Sequence, residues 1–340
     1  MKKFIQDLSL TVVSIAIISL IINISIYQLV NPIFKVNHKA AIAKYIHLKK
    51  YGEQYDTLFI GSSRVALQID SELYDSLTGH KSFNCGVPGQ LSPQGAIFLD
   101  ELIKLPSLSN LKNIFWEFAP FVLVGEKFNS EGIYYNLNLA LGVEALIVKV
   151  KNEMLEEDEM VNFFQAIFKK FTRAPRLLFH KNTFNMKWHT RNQGFYSLGE
   201  EMLGKKPETS PMVLHRKYFL ENSGEIIGKY KDTTKKKQSL ELVDAEAVLY
   251  HQLVSRIFKE CEARGIKLFP IISPLLDYRT VYIGHSRFLD EAKLRLLDFN
   301  SMEEYPEFYR IENVFDKTHL NLNGTELYTR AVASKYLDFI

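Results

Sequence analysis

Four short apolar runs, set between longer stretches of helical pattern, limit what this chain can fold into. Residues 56–61 (DTLFIG), 82–85 (SFNC), 113–118 (NIFWEF) and 266–272 (IKLFPII) are rich in strand formers and are bounded by turn residues or polar positions. Residues 92–103 open with Ser-Pro and carry apolar side chains at helical spacing. Residues 244–264 read as a long amphipathic helix ended by Gly265, and residues 325–337 as a closing helix. Such alternation predicts an α/β fold with an open, mainly parallel sheet flanked by helices on both faces. Ligands of these sheets sit beyond the carboxyl ends of the strands. Ser62 and Ser63, the loop from Gly86 to Gly89, and Ala119 with Pro120 are therefore expected at one rim.

Two segments lie outside this pattern. Residues 8–30 (LSLTVVSIAIISLIINISIYQLV) hold no charge and are long enough to cross a hydrocarbon core of about 30 Å as one transmembrane helix. The run is too long for a signal peptide, and no small-residue cleavage site follows it. Lys2 and Lys3 precede the run, and Lys35, Lys39, Lys44, Lys49 and Lys50 follow it, so flanking charge leaves the orientation open. The second segment is a large helical insertion, residues 122–241, that turns basic and aromatic. From residue 169 to 237 it holds 16 Lys and Arg against 6 Asp and Glu, an excess of 10 positive charges. Two readings stand for it: a solvated basic face, or a cap that meets anionic lipid head groups or an acidic glycan. The expected division is a cytoplasmic tip and anchor (1–30), a connector helical from about Lys39 (31–54), a core (55–121 and 242–340) and the insertion.

A formal charge of +3 over 340 residues is too near neutral to suggest a nucleic-acid partner. Cys85 and Cys261 are too few for a disulfide framework and lack metal spacing, and no histidine has ligand-like spacing. No metal and no cofactor is expected.

The residues that carry chemistry lie near opposite ends of the core. In YDTLFIGSSRV, Gly61 permits a sharp turn after a buried strand and Ser62-Ser63 places a hydroxyl just beyond it. In FDKTHLNLNG, Asp316 stands three positions before His319. On a turn, that spacing lets the carboxylate hold one imidazole nitrogen and leave the other free to take a serine proton. Arg64, beside the serine, is placed either to hold an anionic substrate group or to pair with a neighbouring acid.

Together with NCGVPG at residues 84–89, these stretches resemble three blocks of the SGNH (GDSL) hydrolase superfamily, in the same order. GSSRVALQID and DKTHLNLNGTELYT are similar, more narrowly, to its membrane-anchored branch, which includes the D-alanine transfer protein of teichoic acid synthesis and exopolysaccharide acetyltransferase-like proteins. The resemblance covers the core and not the insertion. It implies an SGNH/flavodoxin-like three-layer sandwich, with Ser63 as nucleophile, His319 as base and Asp316 orienting it. The implied oxyanion hole is the backbone N–H groups of Ser63 and Gly89, and Arg64 and Asn84 are candidate substrate contacts. An extracytoplasmic domain is implied as well, acting as an esterase or O-acyltransferase on a surface glycan or lipid-linked substrate beside a polytopic membrane O-acyltransferase.

Two departures qualify the resemblance. Ser62 replaces the usual Asp before the nucleophile. The third block, normally Gly-x-Asn-Asp, reads Trp116-Glu117-Phe118-Ala119, without the Asn that donates a third oxyanion bond; Glu117 reads as structural or substrate-facing. Loss of one such donor typically costs about 10²–10³ in rate. The alternative is therefore a non-catalytic assembly or binding component of a polysaccharide-modification complex that retains the fold.

Overall fold

The computed structural model describes residues 39–89, 94–118, 161, 165, 190–198, 211–234, 245–276 and 295–339. The apolar run at 8–30, most of the insertion, and Ala119 and Pro120 lie outside the described residues. Among the described residues, no helix is long and apolar enough to cross a membrane.

The chain is an α/β protein built on one five-stranded sheet. Its elements are α1 (Lys39–Tyr51), β1 (Thr57–Ile60), α2 (Ser63–Gln68), α3 (Ser71–Thr78), β2 (Ser82–Asn84), α4 (Gln94–Leu102) and β3 (Asn113–Glu117). After them come α5 (Pro211–Thr234), α6 (Ala245–Ala263), β4 (Lys267–Ile272), β5 (Leu297–Asp298) and α7 (Leu322–Leu337). The strand order is β2-β1-β3-β4-β5 and every pairing is parallel.

All four expected strands are present, as are the helices expected from Lys39, within 92–103, within 244–264 and at the C-terminal end; the helix expected at 8–30 lies outside the described residues. The expected start of the last helix moves from 325 to Leu322, because the side chain of Asn321 caps it by accepting the Gly324 N–H at 3.1 Å. The two-residue β5 and the short α2 and α3 carry too little periodicity to be read from sequence.

Alternation along the strands divides the core between the two faces. On one face, Leu58, Ile60, Ile114, Trp116, Leu268 and Ile272 pack with apolar residues of α1, α4 and α6. On the other, Phe59, Phe115 and Phe269 are register partners on adjacent strands, stacked with centroids 4.9 and 5.0 Å apart. Tyr74 of α3 and Tyr336 of α7 meet Phe115 edge-on. A ladder of this kind pins strand register, since a one-residue slip would turn all three rings to the opposite face.

The sheet order reverses at β1: the chain goes out to β2 on one side and returns to β3 on the other. The crevice at such a switch point is where parallel sheets place ligands, and Ser62 and Ser63 follow β1 directly.

One buried cation in this core has no carboxylate partner among the described residues. Lys44 of α1 is fully buried, and its ammonium donates at 2.8 Å to each of three carbonyls: Asn84, Gly86 and Gly194. It ties the connector helix to the loop after β2 and to a segment of the insertion. Burial lowers its pKa from the ordinary 10.5 to about 7, against a smaller opposing effect of the Cys85 thiol. Because folding lowers this pKa, the unfolded chain binds more protons between about 7 and 10.5, so raising the pH through that window favours the folded chain. Lys44→Met, which leaves three carbonyls without a donor, should lower unfolding free energy at pH 7 by about 2–3 kcal/mol. The gap between wild type and Lys44→Met in urea unfolding should widen as pH rises from 7 toward 10; a flat gap would refute this account.

Candidate active site

The turn that carries Ser62 and Ser63 is built from the ends of two adjacent strands. Glu117, the last residue of β3, is 3% exposed and accepts the Ser62 N–H at 2.7 Å. It also accepts the Nε–H of Arg64, forming a buried ion pair beneath the turn. Burial pushes the Glu117 carboxyl up, but the Arg64 guanidinium and the Ser62 N–H outweigh it and hold the pKa below the usual carboxylate value. Gly61 is required here: a Cβ would lie 2.6 Å from a Glu117 carboxylate oxygen. Ser62 is the N-cap of α2, its hydroxyl accepting the Arg64 N–H at 3.3 Å. Asp and Ser are both good caps, so Ser62 does the capping work open to an Asp at this position. The turn leaves Ser63 part-exposed as the first residue of α2.

His319 arrives from the far end of the chain. Its Nε2 lies 2.9 Å from Ser63 Oγ across a separation of 256 residues, and its Nδ1 lies 3.1 Å from both carboxylate oxygens of Asp316. An imidazole nitrogen facing a carboxylate carries the proton, so Nε2 is the nitrogen left to accept from Ser63. Asp316 is 2% exposed, and one of its oxygens also accepts the N–H groups of Thr318 and His319 and the Thr318 hydroxyl, at 2.7, 2.9 and 2.7 Å. Burial raises its pKa, but these bonds, the His319 bond first among them, prevail and lower it. Asp316 is thus held as an anion under the imidazole. A serine, base and carboxylate in this relation can exchange a proton and make the hydroxyl nucleophilic.

The loop holding Asp316 and His319 is closed by the Val314–Leu320 bridge and by Phe315 N–H to His319 O at 2.8 Å. It is fastened from outside by Leu276 N–H to Lys317 O at 3.1 Å and by Gln68 to Thr318 O at 3.3 Å. Leu320 is buried, and Gly324 sits so close to the Asn313 carbonyl that any Cβ would run into it. These contacts account physically for the Leu, Asn and Gly trailing the Asp-x-x-His motif.

Two candidate substrate contacts are corrected. Arg64 is 4% exposed and pairs through Nε with Glu117, its Nη2 staying buried without a partner among the described residues, so of its two expected roles it takes the pairing one. Glu117 is accordingly structural. Asn84 is fully buried: its amide donates to Val65 O and Ile69 O at 2.7 and 2.8 Å, and its oxygen accepts the Gly86 N–H at 2.9 Å. It locks the end of β2 to α2 and does not face a ligand. Gly89 takes a left-handed φ of 76° in the same loop, exposed, with open space where a Cβ would stand.

Sequence reasoning missed Thr318, whose hydroxyl lies 2.8 Å from His319 Nδ1 as well as on Asp316. Its place between Asp316 and His319 was the available signal. It placed Gly86 in the rim loop but missed its close approach to α2, where a Cβ would strike the Ala66 backbone, and it missed the role of Lys44, whose acceptors are 40 to 150 positions away. Cys85 and Cys261 are both free and buried. Among the described residues, no group of three or more His, Cys, Asp or Glu side chains is placed to hold a metal ion.

Asn84→Ala strips partners from two buried carbonyls and one buried N–H. Urea titration should show a loss of about 2–4 kcal/mol in unfolding free energy; a loss below about 0.5 kcal/mol, typical of surface changes, would contradict this assignment.

In comparisons with known proteins, the chain matches no family model and no curated protein.

Proposed function

We infer that the chain is a membrane-anchored serine esterase or O-acyltransferase of SGNH type, acting on a cell-surface glycan or related polymer. The observation that carries this reading is the continuous hydrogen-bonded line from Ser63 through His319 to Asp316. The order 2-1-3-4-5 of the sheet supports a flavodoxin-like three-layer sandwich, with the site at its switch point.

In the proposed reaction, Ser63 Oγ bonds to the ester carbonyl carbon as its proton passes to His319 Nε2. The backbone N–H of Ser63, which has no acceptor within its helix, and that of Gly89 take the oxyanion. Collapse breaks the ester bond, and the departing oxygen takes the proton from His319, leaving an acyl-Ser63. Water or a glycan hydroxyl then attacks, gives its proton to His319, and releases the acyl group with return of that proton to Ser63. Asp316 stays ionised throughout and holds the imidazolium. The reaction needs no metal or nucleotide.

The uncharged run at 8–30 and the resemblance to anchored relatives support an extracytoplasmic domain beside a polytopic acyltransferase that supplies acyl groups. The second reading, a non-catalytic assembly component, draws on the third block: it lacks the Asn that would donate the third oxyanion bond, and Trp116 and Phe118 are buried at 1% and 2% exposed.

Fluorophosphonate labelling of the purified chain separates the two. Covalent labelling at Ser63 is expected, together with a drop of order 10³ or more in esterase turnover for Ser63→Ala and for His319→Ala. A folded protein that takes up no label would favour the assembly component.

A further inference from the structure

We propose that Arg216, in the insertion, is a positioning residue for the Asp316–His319 pair, so that the insertion is a working part of the site. This rests on the reading of Ser63, His319 and Asp316 as a hydrolase triad.

Arg216 lies in the first half of α5. Its Nη1 donates to Val314 O at 2.5 Å and to Phe315 O at 2.7 Å, and its guanidinium stands 5.6 Å from the centroid of the Phe315 ring. These are the two residues directly before Asp316. The N–H of Phe315 and that of Asp316 both turn inward to His319 O, at 2.8 and 3.2 Å, so the loop's inner hydrogen bonds are already committed. The Val314 and Phe315 carbonyls turn outward, and Arg216 holds both with one charged donor, the stronger class of hydrogen bond.

The helix that delivers this group is itself anchored. Phe219 is 1% exposed and Tyr230 2% exposed, both packed into the aromatic core, and the Tyr230 hydroxyl donates to Asn300 O at 3.1 Å. Arg216 is thus a fixed post. The opposite face of α5 is different: Leu214 and Tyr218 are exposed.

The consequence for chemistry follows from tolerance. Reacting groups displaced by about 1 Å lose on the order of 10² in rate, and Asp316 is one peptide beyond the two held carbonyls. Freed from Arg216, the loop keeps its bridge to Leu320 and its ties at Lys317 and Thr318 but loses the only ones described on the Val314 and Phe315 carbonyls, and the peptide leading into Asp316 can shift the carboxylate against Nδ1.

The test uses the full-length chain in detergent. It reads the far-downfield imidazole N–H proton resonance, assigned by its absence in His319→Gln, and the rate of Ser63 labelling by a fluorophosphonate. Arg216→Met is expected to shift or abolish that resonance and to slow labelling at least tenfold, with the circular dichroism spectrum retained. Arg216→Lys, shorter and without the planar fork, should show the same two changes in reduced size, and it decides the matter if Arg216→Met fails to fold. Leu214→Ala, on the exposed face of the same helix, should change neither. A resonance unaltered by both Arg216 variants, or one missing from the wild type, overturns the proposal, as does slowing that only tracks the unfolded fraction. The two readings fail separately. A wild-type protein that takes no label but whose resonance responds to Arg216→Met keeps the positioning role and loses the hydrolase reading; a labelled protein with an indifferent resonance does the reverse.

Discussion

The site depends on a pair of charges placed where charges are expensive. Arg64 and Glu117 meet with side chains 5% and 1% exposed, under the turn that presents Ser63. A buried ion pair is a poor source of stability, since desolvation consumes most of its attraction. What it supplies here is geometry. Glu117 ends β3 and reaches across to the end of β1, where it takes the Ser62 N–H and the Arg64 side chain together. The turn can then close in one way only, and only with glycine at position 61. An apolar pair of equal volume would fill the space without dictating which hydroxyl faces the crevice.

That device explains how much of the molecule was legible beforehand. The strands were readable because each is a short run of β-formers cut off by turn residues, and burial on both faces makes such runs nearly continuous in apolar character. The Asp316–His319 relation was readable because both groups lie within one tight loop. What escaped were pairings set by distance in the chain. Arg64 shows this: pairing with an acid was one of its two expected roles, but nothing near it in sequence identifies that acid as Glu117, 53 positions on. Asn84 shows it too, since its amide donates to Val65 O and Ile69 O, 19 and 15 positions back in and just after α2. Local spacing carries no trace of either.

The basic character of the chain deserves the same reinterpretation at two positions. Lys44 and Arg216 both spend their charge on backbone carbonyls, three for the first and two for the second. Counted from the sequence they are surface cations near a membrane or a polymer. In the fold they are internal ties, and the acceptors they choose border the site: the loop after β2 for Lys44 and the loop before Asp316 for Arg216.

Those two ties share a partner. Lys44 reaches Gly194 and Arg216 stands on α5, and both of these belong to the segment between β3 and α6 that the sheet itself does not need. A parallel sheet fixes only where its strands end; the loops beyond carry the reacting groups and have to be held from elsewhere. Here the holding groups come from the connector helix and from the insertion, one for each side of the crevice. An insertion that served only as a cap could be attached by apolar packing alone. One that delivers a charged donor to the backbone beside Asp316 has a reason to sit where it does in the chain, after the strand that supplies Glu117 and before the helix that leads into β4.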